Sequence, residues 1–416
     1  MECQTLIIGA GIIGVSSALH LQARGRQVLL LDRGPPGSGT SYGNAGLIER
    51  SSVVPYAFPR DLGSVLRYAC NRQPDVRYSW RELPRLAPWL WRYWQASAPR
   101  QLAQATRAMQ PLIQQCVSEH DALAAAAGME HLFRADGWVE IFRDPRAWRR
   151  AEAEAARQHE HRLAYRVLDS AALRQLEPGL SGQAIGAVHW LDPKTVADPG
   201  ALTRGYCQLF SGRGGAFLQA DAQALRPEAA RWRLETSSGP VHADEVVIAM
   251  GAQSRRLLEP LGQVLPLRSK RGYHLHYRNA SQPPLQHALC DSQAGFVLAP
   301  MTQGVRLTTG IEFASDHAPA NEIQLQRCEA IARTLLPLGE RIDAEPWLGL
   351  RPCLPDMRPA LGASRHRGLW LNFGHAHHGL TLGPVCGRLL AELMTGEHPM
   401  TDPAPYNPQR FDQRPG

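Results

Sequence analysis

Residues 5–8 form a short apolar run rich in β-branched side chains, the pattern of a parallel strand buried on both faces. Residues 9–14 then read Gly-Ala-Gly-Ile-Ile-Gly, and 15–24 carry apolar residues at helical spacing until Gly25 stops the pattern. A second apolar strand is predicted over 27–31 and ends in Asp32. Further strands are predicted at 137–142, 216–225, 231–236, 245–252 and 369–373, with a hairpin over 295–300 and 304–310. The alternation over 270–277 predicts a half-buried strand. Helical spacing covers much of 75–135, punctuated by Pro84, Pro88, Pro99 and Pro111. It returns at 145–157, 168–176, 324–336 and 385–394, and from Asp198-Pro199 to about Leu209. Strands alternating with helices predict a mixed α/β fold whose first unit is a parallel βαβ crossover.

Strand, glycine turn, helix, second strand and acid form the full dinucleotide-binding fingerprint. Gly9 permits the tight turn, Gly11 lets a pyrophosphate approach the backbone, and Gly14 lets helix and strand pack closely. The helix N-terminus offers free N–H groups and a positive dipole end. Asp32 is placed to accept from ribose hydroxyls and disfavours a 2′-phosphate. FAD and NAD both satisfy this pattern. Residues 39–46, Gly-Thr-Ser-Tyr-Gly-Asn-Ala-Gly, are small enough to pass beside a large flat ligand. Residues 374–384 repeat the strand, glycine-rich turn, helix pattern, which puts a second helix N-terminus in reach of negative charge.

At 416 residues the chain has room for two or three domains, and no low-complexity tract or long linker separates them. The substrate-binding part is therefore expected to interleave with the dinucleotide part. With 44% hydrophobic and 20% charged residues the chain is not disordered, and no apolar run is long enough to span a bilayer. The net charge of +7 rests on 45 basic residues, of which only Lys194 and Lys270 are lysine. The arginines are scattered, which argues against nucleic acid. Eight separated cysteines without a Cys-x-x-Cys pair exclude a zinc site and a disulfide framework. That points to a reducing compartment, as does the lack of a charged leader before the first apolar segment. A cytoplasmic protein is expected. Trp80, Trp89, Trp91, Tyr93 and Trp94, among Arg81, Arg85, Arg92 and Arg100, suggest a helix facing the core with its arginines in solvent. The same stretch leaves open a peripheral contact with the inner face of a membrane.

Taken together, GAGIIGVSSALHL, TSYGNAG, VVIAMGAQS, RGYHL, WLGLRPCLPDMRPALG and LWLNFGHAHHGLTLGP resemble the D-amino-acid oxidase-type flavoenzymes. This family includes glycine oxidase, sarcosine oxidase and bacterial D-amino-acid dehydrogenase, and the likeness to the small subunit of the last is strongest. The resemblance implies a Rossmann-like FAD-binding domain (residues 1–75, 195–270 and 345–416) interleaved with a substrate domain on a large mixed sheet (76–194 and 271–344). It implies FAD as cofactor, bound through Gly9, Gly11, Ile12, Ile13, Gly14, Asp32 and Arg33. Ser41, Asn44, Ala45, Gly46 and Leu47 would run along the flavin, and Ala222 would clasp the adenine by its backbone. Gly251 would lie near the pyrophosphate, with Gly379, Leu380 and Thr381 at the flavin O2 side.

Arg351, in Gly-Leu-Arg-Pro, matches the family arginine that grips a substrate carboxylate, a role suited to a guanidinium fork. The implied reaction is oxidative deamination of D-amino acids to keto acids and ammonia, by hydride transfer from Cα to flavin N5. Its alternative is oxidation of a secondary or imino amine such as sarcosine, glycine or D-hydroxyproline, by the chain alone or as one subunit of an electron-transfer complex, with oxygen, a quinone or a dye-type molecule as electron acceptor. Tyr273, His375 and His377 are the other catalytic candidates. Three departures stand out. Phe296 replaces a substrate-facing tyrosine, His377 and His378 replace smaller residues, and Cys353 lies near the position of covalent flavin attachment in sarcosine oxidase. The local spacing fits non-covalent FAD.

Overall fold

The computed structural model describes residues 1–157 and 162–412. Among these, strands join into two large sheets. The eight-stranded sheet runs Ala216–Gln219, Val28–Asp32, Glu2–Ile8, Val241–Ile248, Arg231–Thr236, Ala222–Glu228; Leu369–Phe373 also pairs with Val241–Ile248, and Ala360–Ala363 pairs with Leu369–Phe373. Its centre is parallel: Ile7 faces Leu30 on one side and Val247 on the other. Alternate side chains of these strands enter different cores. Ile7, Leu30 and Val247 pack beneath the Ile12–Gln22 and Gly379–Thr395 helices. Leu6, Ile8, Leu31, Val246 and Ile248 pack on the opposite face with Leu257 and Leu258. Burial on both faces is why these strands read as continuous apolar runs.

The second sheet has eleven strands around Arg268–Asn279, which pairs with Gly304–Thr308, Ile311–Phe313, Leu338–Arg341 and Trp347–Cys353. The sequence division grouped Trp347–Cys353 with the FAD-binding segments, yet its hydrogen bonds lie in this larger sheet. The alternation over 270–277 predicts one wet face, but every residue from Ser269 to Tyr277 is buried. Its polar residues are buried too, because one face borders a cavity and the other an internal polar network.

Several boundaries move for local reasons. Tyr165–Asp169 is a strand, and the helix begins at Ser170 because the Asp169 carboxylate accepts the Ala171 and Ala172 N–H groups. The Gly379–Thr395 helix begins six residues ahead of the expected 385. Pro384 lies inside its first turns, where it supplies no N–H for the Leu380 carbonyl. His120 Nε2 donates to that carbonyl at 2.8 Å instead, so the helix continues through the proline. In the helix Leu83–Ala96, Leu86, Trp89 and Tyr93 are buried while Trp91 is exposed. The inward face thus accounts for only part of the tryptophan cluster. No helix among the described residues is long and apolar enough to cross a membrane.

Candidate cofactor and substrate cavity

A continuous cavity of about 1460 Å³ runs from the first glycine turn, along the carboxyl ends of the parallel strands, to the face of the larger sheet. It exceeds the ~300–1,000 Å³ usual for a drug-sized ligand, so it has room for a dinucleotide and a second molecule. At its first end, Gly9 adopts φ 113°, and a Cβ there would lie 2.5 Å from the Ala249 carbonyl oxygen. A Cβ on Gly14 would lie 1.8 Å from the Gly9 carbonyl oxygen. Gly11 faces the opening, where the Ile12 N–H reaches Ser41 Oγ at 2.9 Å. Ile12 and Ile13 start the helix beside it, and the Gly11 N-cap supplies no side chain to cover the helix N-terminus. Asp32 lines the cavity and braces the turn, accepting Ala10 N–H at 2.7 Å and Gly34 N–H at 3.1 Å. Arg33, Ala222 and Gly251 line the same end, and the Ala222 carbonyl accepts from Arg256.

Ser41, Asn44, Ala45 and Leu47 line the middle of the cavity. The loop is held from inside, with Asn44 Oδ1 accepting Gly46 N–H at 2.8 Å. Gly46 has φ 77°, and a Cβ there would press on the Val196 carbonyl. Opposite the loop, Gly379 and Leu380 present the open end of the Gly379–Thr395 helix to the cavity. Nothing lies within 4 Å of a Cβ built on Gly379. The Thr381 hydroxyl is engaged with the chain at 47–49, within reach of the Leu47 carbonyl at 3.2 Å and the Glu49 N–H at 3.1 Å. Thr381 therefore ties the loop to the second helix rather than presenting its hydroxyl to a ligand.

At the far end lies Arg351. Its Nη1 donates to the Gly310 carbonyl at 2.6 Å and its Nη2 to the Thr309 carbonyl at 2.9 Å. A guanidinium has five N–H donors, so three remain. A Cβ on Gly272 would lie 2.6 Å from Nη2, so only glycine leaves the space this side chain occupies. Among the described residues Arg351 has no ion-pair partner, and burial lowers its pKa from the ordinary guanidinium value. Phe296 and Thr308 help to close this end.

The remaining candidates divide. Tyr273 borders the cavity, with its hydroxyl engaged in the sheet. Its hydroxyl donates to Glu312 Oε2 at 2.6 Å and accepts from Arg271 at 2.9 Å, so it is spent inside the sheet. Its backbone N–H holds Thr309 Oγ1 at 3.0 Å, and the neighbouring Thr309 carbonyl holds Arg351. His375 and His377 do line the cavity, each with Nε2 unpartnered. Burial pulls the His375 pKa down to about 3 and that of His377 well below its ordinary value, so both rings are neutral at neutral pH. The buried Cys353 thiol donates to the Arg351 carbonyl at 3.4 Å, and burial raises its pKa.

Sequence reasoning missed Arg306. Its Nη1 donates to the carbonyls of Tyr42 at 2.9 Å and Asn44 at 2.6 Å, and its Nε to His276 at 3.0 Å. His276 in turn pairs with Asp343 at 2.8 Å. This buried chain of groups clamps the cavity loop onto the larger sheet. A pairing of arginine with backbone carbonyls leaves no periodicity or motif to read. Trp347 was likewise missed, although its ring fills the space a Cβ on Gly43 would need.

A strand, glycine turn and helix N-terminus with an acid closing the next strand, joined by one cavity to a second helix N-terminus and a half-free arginine, are the parts of a dinucleotide-binding protein. The family model described as DAO, FAD dependent oxidoreductase, matches residues 4–393, and the chain belongs to that family. A D-amino-acid oxidase of Bradyrhizobium diazoefficiens is 29% identical over 97% of this chain and 98% of its own. A D-amino acid dehydrogenase 2 of Ralstonia nicotianae is 31% identical over 97% of this chain and 99% of its own. The solved glycine oxidase of Geobacillus kaustophilus is similar in fold, with a TM-score of 0.75 at 20% identity over 100% of each chain. The protein is thus an FAD-dependent oxidoreductase, and the glycine cradle and cavity fit that cofactor.

Proposed function

We propose that the enzyme oxidises an amine that carries a carboxylate on the adjacent carbon, and that D-amino acids are its substrates. The observation that supports this reading most directly is Arg351, which lines the cavity fixed by two backbone carbonyls with three donors still free. A substrate carboxylate pairing with that fork is held at two points, which restricts the orientation of its Cα. Bound FAD supplies the two-electron oxidant. The amine enters neutral, and the uncharged rings of His375 and His377 put no positive charge beside it. A His375 with a pKa of about 3 is too weak a base to abstract a Cα proton at neutral pH, so its part is to shape the pocket and accept hydrogen bonds. Loss of two electrons and two protons from the C–N unit leaves an imino acid, which water converts to a keto acid and ammonia.

The test is anaerobic mixing of the purified holoenzyme with a panel of D- and L-amino acids and of secondary amines, followed at the flavin absorbance. Bleaching by D-amino acids is the expected result. Bleaching by secondary amines alone, or by none of the panel, rejects it. Repeating turnover with oxygen, a quinone and a dye then identifies the acceptor.

A further inference from the structure

The cavity holds a second cation that amine oxidation does not require. Lys270, one of two lysines in the chain, is 5% exposed and lines the cavity. It stands directly opposite Arg351 in the antiparallel pairing of Arg268–Asn279 with Trp347–Cys353. Opposed residues project from the same face of a sheet, and like charges so placed repel. Burial should make this arrangement costlier unless each charge has a partner. Yet among the described residues neither cation has a salt bridge. The polar contact of the Lys270 ammonium is Met357 Sδ at 3.8 Å. Its other neighbours are aromatic: the ring centroids of Tyr93, Trp89 and Phe313 lie 4.2, 5.8 and 6.0 Å away. Such a cage stabilises an ammonium through the ring faces but offers no oxygen to its N–H groups. The cavity carboxylate that acts on Arg351, Glu49, is itself engaged with Ser52.

We propose that Lys270 is a specificity residue that receives a second anionic group of the substrate, so that the preferred substrates are amines bearing two carboxylates. This rests on the amine-oxidation reading above: Arg351 takes the carboxylate next to the reacting carbon and Lys270 the distal one. A dianion then neutralises both cations at once. Acidic D-amino acids and iminodiacetate-type amines meet the requirement, whereas an amino acid with an apolar side chain leaves the ammonium without an acceptor. The aromatic cage positions Lys270 and contributes no selectivity for the anion.

The experiment compares kcat/KM of the holoenzyme for D-aspartate, D-glutamate and iminodiacetate with that for D-alanine and D-leucine, in the natural protein, Lys270→Met and Lys270→Arg. The diacids are expected to be preferred, and Lys270→Met to lower the ratio of diacid to neutral kcat/KM by at least about 30-fold, with Lys270→Arg retaining most of it. A second readout does not depend on the variant folding. Titration of the flavin spectrum of the natural protein with malonate and succinate, against acetate and propionate, is expected to show tighter binding of the dicarboxylates. Equal binding of mono- and dicarboxylates, or neutral amino acids turning over as well as diacids with a ratio unmoved in Lys270→Met, overturns the role of Lys270 while leaving amine oxidation standing. Failure of every amine to reduce the flavin overturns both.

Discussion

Replacing Arg351 tests the substrate end of the site most sharply. Two of its five N–H groups are committed to the Gly310 and Thr309 carbonyls at 2.6 and 2.9 Å, leaving a fork that can meet a carboxylate at two points. A hydrogen bond to a charged group contributes ~1.5–3 kcal/mol, so losing two in Arg351→Ala removes roughly 3–6 kcal/mol of binding. At 1.4 kcal/mol per tenfold, kcat/KM should fall by about 10²- to 10⁴-fold. The loss should appear mainly in KM, because the carboxylate is held in the bound substrate and in the transition state alike. Arg351→Lys keeps the charge but not the planar fork, and should fall between the two. Flavin content should be unchanged, since the Arg351 guanidinium is held by the Gly310 and Thr309 carbonyls and makes no hydrogen bond to the 9–14 turn. The assay is steady-state turnover of the best amine from the anaerobic panel, with FAD occupancy read from the ratio of visible to ultraviolet absorbance. A KM within about threefold of the natural protein, with the flavin still fully reduced, would refute the assignment of Arg351 as the carboxylate anchor.

At the other end, Gly14→Ala should yield folded protein that purifies without FAD, because its Cβ would lie 1.8 Å from the Gly9 carbonyl oxygen; yellow protein at full occupancy would contradict this. Acid should unfold the enzyme early. Burial lowers the pKa of His20 and His120 to about 4, of His375 to about 3 and of His274 to about 2, against an ordinary value near 6.5. Below pH 6.5 the unfolded chain therefore binds more protons than the folded one, and stability falls as pH drops from 6.5 towards 4. Thermal melts across that range should lose midpoint temperature steadily, and a flat profile would show that these rings are not kept neutral. Cys353 should not hold the flavin covalently: acid precipitation should release the yellow colour into the supernatant, and Cys353→Ser should still bind FAD.

Much of the cofactor half is legible because it is local. The turn at 9–14 and the acid at 32 are joined by a single βαβ crossover, and each glycine answers to one steric requirement that can be stated from the sequence. The substrate half depends on distant pairings. Lys270 faces Arg351 only through the register of two strands some eighty residues apart, and Arg306 reaches the 42–44 loop from another strand of the same sheet. The surroundings of Tyr273 are set the same way: the pleat sends its ring to the opposite face from Gly272 and Lys270, where its hydroxyl meets Glu312 and Arg271. The early start of the last helix was hidden for a different reason. Pro384 reads as a stop signal, and its effect is cancelled by His120 from a remote helix.

Cofactor and substrate ends are mechanically one object. The strand carrying Arg351 ends at Cys353, which forms a β-bridge with His375, and His375 lies four residues before the helix N-terminus at Gly379. A shift of one residue in the Trp347–Cys353 register would turn Arg351 to the far side of the sheet and break the pairing with Lys270. It would also displace the bridge that leads into the second helix N-terminus. Register is defended by glycines at the crowded points: a Cβ on Gly349 would strike the Trp347 ring, and one on Gly272 the Arg351 guanidinium. These contacts exclude bulk in one alignment and not in its neighbours. The spacing between Arg351 and the second helix N-terminus is thereby set by strand pairing, which tolerates almost no intermediate positions.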